Sequence, residues 1–185
     1  MNRWDDWVED RSDNLLVEQA IRGDGESFTE LCRRYYGPLV AIGHAILGDR
    51  HLAEDAAQEA FAKAAVHLPK LRRADQFGSW VAAICRNEAR NLCRARRQAR
   101  VEDQMLQGEA PVGTDETCEA VRIALKSLPE EAREVVFLRF YDGLSYDQIS
   151  AVLGISEQAI NGRIRRAKRQ LAEHLRRHGF DEVDL

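Results

Sequence analysis

Four side chains in the last third of the sequence, Gln158, Asn161, Arg165 and Arg169, recur at intervals of three and four residues. On a helix that spacing places them along one face. Gln and Asn match the donor and acceptor edge of adenine, and the Arg fork matches guanine. Gly162 lies within the stripe, and Arg163, Arg166 and Lys168 flank it, where cations can reach phosphates. A second set, Arg86, Asn87, Arg90, Asn91, Arg94 and Arg97, shares the outer face of an earlier helix that opens with Phe77 and Trp80. Cations beside aromatic rings suit single-stranded nucleic acid, whose backbone needs positive charge and whose unpaired bases need stacking surfaces. A third set, Glu54, Asp55, Gln58 and Glu59, forms an acidic face. Such a face is solvated unless a partner covers it.

None of these sets is catalytic. The chain offers no Gly-rich phosphate loop, no nucleophile elbow, no HExxH and no paired carboxylates, so no enzyme is expected. Cys32, Cys85, Cys93 and Cys118 lie far apart without CxxC pairs, and read as free thiols in a reducing cytosol. His174 and His178 are one helical turn apart and read as solvated, so neither a metal nor a cofactor is expected.

The net charge of −4 over 185 residues argues, as a sum, against a nucleic-acid partner, but the distribution argues for one. Acids dominate the first thirty residues. The stretch 86–100 is rich in arginine and opposed only by Glu88, and acids return from Glu102 to Glu119. Arg163, Arg165, Arg166, Lys168 and Arg169 then follow with no acid among them. Two basic patches between acidic stretches suggest two contacts on one polyanion. Hydrophobic residues make up 44 %, enough for packed cores. No apolar run is long enough to span a membrane, and the acidic start resembles no secretory signal, so no membrane insertion and a cytoplasmic location are expected.

The elements that must position these residues are helices. Apolar residues recur at helical spacing almost throughout, which predicts an all-α chain. Gln107-Gly108-Glu109-Ala110-Pro111-Val112-Gly113-Thr114 breaks the pattern and divides the chain into two small domains. Leu15–Ile21 reads as a first helix and Phe28–Leu47 as a second, irregular at Gly37-Pro38. Ala53, Ala56, Ala57, Ala60, Phe61, Ala64 and Leu68 make the apolar stripe of a third. A fourth starts near Asp75 or Gln76 and buries Phe77, Trp80, Val81, Ile84 and Leu92. Beyond the break, a helix covers 117–128 and another opens with Pro129 in its first turn. Ser145-Tyr146-Asp147-Gln148 is a capping box for a short helix that Leu153-Gly154-Ile155 ends. Ser156 caps a longer one with Ile160, Ile164, Ala167 and Leu171 inward. Short helix, glycine turn and long basic helix make a helix-turn-helix, whose second helix fits the major groove.

Taken in order, these segments resemble the extracytoplasmic-function (ECF) sigma factors of bacterial RNA polymerase. Residues 13–16, Gly23-Asp24, Phe28-Thr29-Glu30-Leu31 and Arg33-Arg34-Tyr35-Tyr36 are similar to that family's first conserved region. Residues 53–61 resemble its AEDxxQExF segment, and Phe77-Gly78-Ser79-Trp80 with Ile84-Cys85-Arg86-Asn87 its melting and minus-ten region. Leu128-Pro129 through Arg169 resembles its fourth region.

The resemblance implies a tail over 1–12, a four-helix region-2 domain over 13–97, a linker over 98–116, a helix-turn-helix region-4 domain over 117–178, and a tail over 179–185. It implies that Glu54, Asp55, Gln58 and Glu59 meet the clamp helices of the polymerase β′ subunit, and that region 4 meets the β flap. Trp80, Arg86, Asn87, Arg90, Asn91 and Arg94 would contact the minus-ten element, as single strand, with the loop 67–76 holding a flipped base. Gln158, Asn161, Gly162, Arg163, Arg165, Arg166 and Arg169 would address the duplex minus-thirty-five element. An anti-sigma partner would hold the protein inactive. The family often has Lys-Ser where this chain has Asn161-Gly162, and Asp where it has Asn91, so promoter sequence does not carry over. The competing reading is a free-standing helix-turn-helix regulator that never touches polymerase.

Overall fold

The computed structural model describes residues 12–103, 116–178 and 180, and among them helices and turns account for the chain, with no strand. The first group of helices is α1 (Asp13–Ile21), α2 (Gly25–Leu47), α3 (Arg50–His67) and α4 (Phe77–Asp103). Each of the first three starts at a side-chain cap. Ser12, Asp24 and Asp49 accept hydrogen bonds from the amides of Leu15, Glu26 and Leu52 respectively. Gly48 closes α2 at φ 66°, a left-handed conformation that glycine adopts without strain. The irregularity expected at Gly37-Pro38 is absent: α2 runs unbroken through Pro38. Between α3 and α4 the chain makes two short 3₁₀ turns, Leu68–Lys70 and Ala74–Gln76.

The α3 stripe is buried as its periodicity predicts. Ala53, Ala56, Ala57, Ala60 and Ala64 are inaccessible to solvent, and Phe61 and Leu68 nearly so. Alanine adds little bulk, so α3 lies close against its neighbours. A Cβ added at Gly43 of α2 would stand 3.1 Å from both Cα and Cβ of Ala53 and 3.2 Å from its carbonyl oxygen. On α4, Phe77, Val81, Ala82, Cys85 and Ala89 face this core, whereas Trp80, Ile84 and Leu92 are only partly buried. The expected linker start at Gln98 falls inside α4, which continues to Asp103 because arginine and glutamine sustain a helix well without apolar periodicity. The rest of that linker, 104–115, lies outside the described residues, as do 1–11 and 181–185 of the tails.

A polar network ties α1 to α2. Asp13 accepts hydrogen bonds from Arg34 at 2.8 Å and from the Tyr35 hydroxyl at 2.5 Å. Glu30 accepts from Arg33 and Arg34, and the Arg33 hydrogen bond foremost holds its carboxyl down at about 2. Tyr35 then turns its ring edge onto Phe77, centroids 5.3 Å apart, and so seats the start of α4.

The second group is α5 (Glu116–Ser127), α6 (Glu130–Val136), α7 (Tyr146–Leu153) and α8 (Glu157–Arg177). Pro129 stands one residue outside the place expected for it: it is the extended N-cap of α6, not its first turn. After α6 the chain widens into a π turn, Phe137–Tyr141, in which the Asp142 amide donates to the Phe137 carbonyl at 3.0 Å. Both bonds of the Ser145–Gln148 capping box are present, Gly154 ends α7 at φ 67°, and Ser156 caps α8. Ile160, Ile164 and Ala167 are buried as expected, Leu171 only partly, and Leu175 completes the stripe.

The two groups pack on each other, α6 and the π turn against α2 and α7 against α4, through one continuous apolar core. We expect Gly43→Val to lower stability by about 1–3 kcal/mol in urea titration, because backbone atoms of Ala53 stand in the way. Gly25→Ala, with open space around it, should leave the midpoint nearly unchanged.

Candidate functional site

The acidic face stands on the outer side of α3, which the buried alanines opposite force into solvent. Asp55, Gln58 and Glu59 are exposed. Glu54 is half-buried and engaged, accepting from Arg50 at 3.0 Å. Glu59 pairs with Lys63 at 3.3 Å, and Lys63 reaches on to Glu88 of α4 at 2.6 Å.

On α4, burying Phe77, Val81 and Cys85 turns Asn87, Asn91 and Arg94 outward, all three exposed. Trp80 is half-buried against Phe77, ring centroids 5.9 Å apart. Burial pushes the Cys85 thiol up to about 12, so it is an inert core group. Arg86 is largely buried and Arg90 exposed, and each is paired, unlike the expectation, with an acid of α6. Arg86 Nε donates to Glu134 at 2.8 Å, and Arg90 donates to Glu130 through Nε at 3.0 Å and through Nη2 at 2.6 Å. Burial raises the Glu134 carboxyl above its ordinary range, against the pull of Arg86.

On α8, Gln158, Asn161, Arg165, Arg166 and Arg169 are exposed and Gly162 partly so. The glycine turn and the Ser156 cap fix where α8 starts. Arg163 departs from the expectation: it is half-buried and pairs with Glu131 of α6 at 2.9 Å. Lys168 is likewise drawn aside, its ammonium 5.6 Å from the centre of the Phe140 ring. The structure therefore brings together an exposed Gln158–Asn161–Arg165–Arg169 stripe on α8, with Gly162 and Arg166 beside it, and an Asn87–Asn91–Arg94 edge on α4. It covers much of Arg86 and Arg163, and pairs the still exposed Arg90 with an acid.

Residues 31–99 match the model for sigma-70 region 2, and residues 118–171 that for sigma-70 region 4. The chain is 31 % identical to the RNA polymerase sigma-H factor of Pseudomonas aeruginosa over 180 residues, covering 88 % of this chain and 93 % of that one. It belongs to the ECF sigma factors. The ECF sigma-E factor of Escherichia coli K12 is 29 % identical over 179 residues, covering 86 % of this chain and 92 % of that one. Among solved structures, CnrH in complex with the cytosolic domain of CnrY is similar, with a TM-score of 0.62, 30 % identity, and 89 % and 97 % of the two chains covered. The sigma factor RpoE from Bartonella quintana, solved with the anti-sigma factor NepR, shares the fold at a TM-score of 0.56 and 24 % identity, over 82 % and 98 % of the two chains. As a sigma factor the chain serves RNA polymerase at promoter DNA in transcription initiation and is not an enzyme. No helix among its described residues is long and apolar enough to cross a membrane.

Sequence reasoning missed Glu130, Glu131 and Glu134 as partners of the basic faces. Glu130 and Glu131, following a proline, read as the favourable first turn of a helix, which they also are, and Glu134 lies one turn on. It also missed His44, which lies at the seam between the two groups of this sigma factor. The His44 ring meets Phe137 and Tyr141 edge to face at 5.0 and 5.5 Å, and its buried Nδ1 has no hydrogen-bond partner among the described residues. Burial, and then the Arg50 charge, push its pKa below the ordinary 6.5, with Asp49 opposing. As pH falls through that value the unfolded chain gains a proton that the packed ring resists, so stability is full above about 6.5 and declines below it. The urea midpoint should therefore drop between about pH 7.5 and 5.5, and His44→Phe should shed most of that drop. An equal drop in both proteins would remove His44 from the account.

Proposed function

We propose that this sigma factor divides its work between residues 13–97, acting as region 2, and residues 117–178, acting as region 4, along the lines that the sequence suggests. Asp55, Gln58 and Glu59, with Glu54 braced beside them by Arg50, dock on the β′ clamp helices of core polymerase. Region 4 meets the β flap. Asn87, Asn91 and Arg94, joined by Trp80, Arg86 and Arg90, take the minus-ten element as an unpaired strand, and the loop 67–76 holds a flipped base. Flipping costs a few kcal/mol of stacking, which aromatic and polar contacts in the pocket must offset. Gln158, Asn161, Gly162, Arg165, Arg166 and Arg169 address the minus-thirty-five duplex, with Arg163 nearby. The observation that carries the reading is the exposed Gln158–Asn161–Arg165–Arg169 stripe on a helix whose start is fixed by Gly154 and Ser156.

The protein acts in the cytoplasm. Its relatives CnrH and RpoE were solved with CnrY and with an anti-sigma factor. A partner of that kind holding this chain inactive is part of the proposal.

Run-off transcription with purified core polymerase on a promoter library tests the assignment. Promoter-specific transcripts should appear with the wild-type chain. They should vanish in Asp55→Ala/Gln58→Ala, which loses docking, and in Asn161→Ala/Arg165→Ala, which loses upstream reading. Arg165→Ala alone should cost about 1–3 kcal/mol and relax one upstream base preference. A uniform loss across all upstream bases would make Arg165 a phosphate contact instead. Silence with core, combined with duplex binding by the chain alone, would overturn the docking assignment.

A further inference from the structure

The acids of α6 stand where the proposed promoter recognition needs open space. Arg86 and Arg90 are one helical turn apart on α4, and Glu134 and Glu130 are one turn apart on α6. The two pairs form a ladder of matched charge between the helices. Glu131, between them in sequence, takes Arg163 of the recognition helix. A carboxylate on a guanidinium presents the charge and hydrogen-bonding oxygens that a phosphate would present there. Towards the start of α4 the two groups also approach closely. A Cβ at Gly78 of α4 would lie 3.1 Å from the Ala151 carbonyl oxygen of α7, and one at Gly154 would lie 3.3 Å from Cβ of Ser79. The turn of the helix-turn-helix thus rests on the first turn of α4, next to Trp80.

We propose that the acidic face of α6 is an autoinhibitory clamp, in which Glu130 and Glu134 occupy the guanidinium groups of Arg90 and Arg86 in place of promoter DNA, so that the two helical groups must part before α4 can bind a strand. The proposal rests on the assignment of the α4 face to DNA. Its ligand in the closed state is the chain's own acidic helix face. DNA and α6 compete for the same donors, because Arg86 Nε and Arg90 Nε and Nη2 already donate to carboxylates of α6 and the helix stands beside them.

The test uses the full chain and two readings made without polymerase. Small-angle X-ray scattering reports whether the groups stay together. Fluorescence anisotropy with a labelled, random-sequence single-stranded DNA reports access to α4. Glu130→Lys, and Glu130→Lys/Glu134→Lys, set like charges against the arginines and should raise the radius of gyration. Affinity for the strand should rise about tenfold, the gain expected when an open state populated at about one in ten becomes the main one. Glu173→Lys makes the same change of charge at an exposed position of α8, and sets the baseline for simple electrostatic gain. Adding Arg90→Glu to Glu130→Lys exchanges the pair and should restore the compact form. Should the buried Glu134→Lys change prevent folding by circular dichroism, the half-exposed Glu130→Lys decides alone. A chain that stays compact in that variant, or one that opens but gains no more affinity than Glu173→Lys, overturns the clamp. Run-off transcription by the wild-type chain separates the two readings. Intact transcription beside a failed opening removes the clamp alone, and absent promoter-specific transcripts remove the DNA assignment beneath it.

Discussion

Gly43 lets the backbones of α2 and α3 touch, and most of the first helical group takes its place from that contact. A helix whose inner face is alanine removes little apolar area per residue from water, on the order of 0.8 kcal/mol for each methyl-sized group. It holds only if its neighbours come close enough to replace the missing bulk with dense contact, since dispersion falls off steeply across a gap. Gly43 provides that approach on the α2 side. The outcome for function is geometric. With α3 drawn inward along its alanines, its opposite face has nowhere to go but solvent, which is why Asp55, Gln58 and Glu59 stand exposed together.

The second structural commitment is a buried charge pair. Arg86 and Glu134 retain 18 % and 5 % of their side-chain exposure, and their hydrogen bond is 2.8 Å long. Desolvating two ions costs several kcal/mol each, and their attraction repays this only when geometry and further hydrogen bonds are good. Here burial outweighs the attraction, since the Glu134 carboxyl stays above its ordinary range. The pair therefore specifies where α6 lies on α4 more than it holds it there, and apolar contact along α2 and α7 supplies the cohesion. Losing one partner is another matter, because it leaves an uncompensated charge at a cost of about 3–5 kcal/mol. A seam built this way is selective in register and modest in strength.

How much of this could be read in advance follows the range of each interaction along the chain. The alanine stripe, the Ser145–Gln148 box, the Gly154 turn and the Ser156 cap all depend on neighbours within four residues, and all stand where the sequence places them. The outward stripe of α8 follows from the same periodicity. Pro129 falls a residue outside its helix because N-cap and first-turn prolines differ only in backbone ψ, which residue type alone does not settle. α4 runs past the expected linker start at Gln98 because an arginine-rich run keeps helical propensity without apolar period. The fate of Arg86 and Arg90 was illegible for another reason. Their partners lie 48 and 40 residues away, and nothing local distinguishes an arginine awaiting phosphate from one already holding a carboxylate.

That last ambiguity bears on how an acidic protein serves DNA. The chain carries a net charge of −4, so at long range it is repelled by a polyanion. With Arg86, Arg90 and Arg163 each paired to an acid of α6, three of its cations have their charge met within the molecule. The acidic face of α3 is untouched by this arrangement and remains exposed. If α3 is the polymerase-docking face, the closed chain presents the surface for its protein partner while covering part of the surface for its nucleic acid. Docking would then come first, and any differential contact that polymerase makes with the parted helical groups would supply the free energy to open the seam. The acids of α6 would thus set an order of events, polymerase before promoter. The same order would reconcile promoter recognition with an overall negative charge, since the chain would not have to search DNA alone.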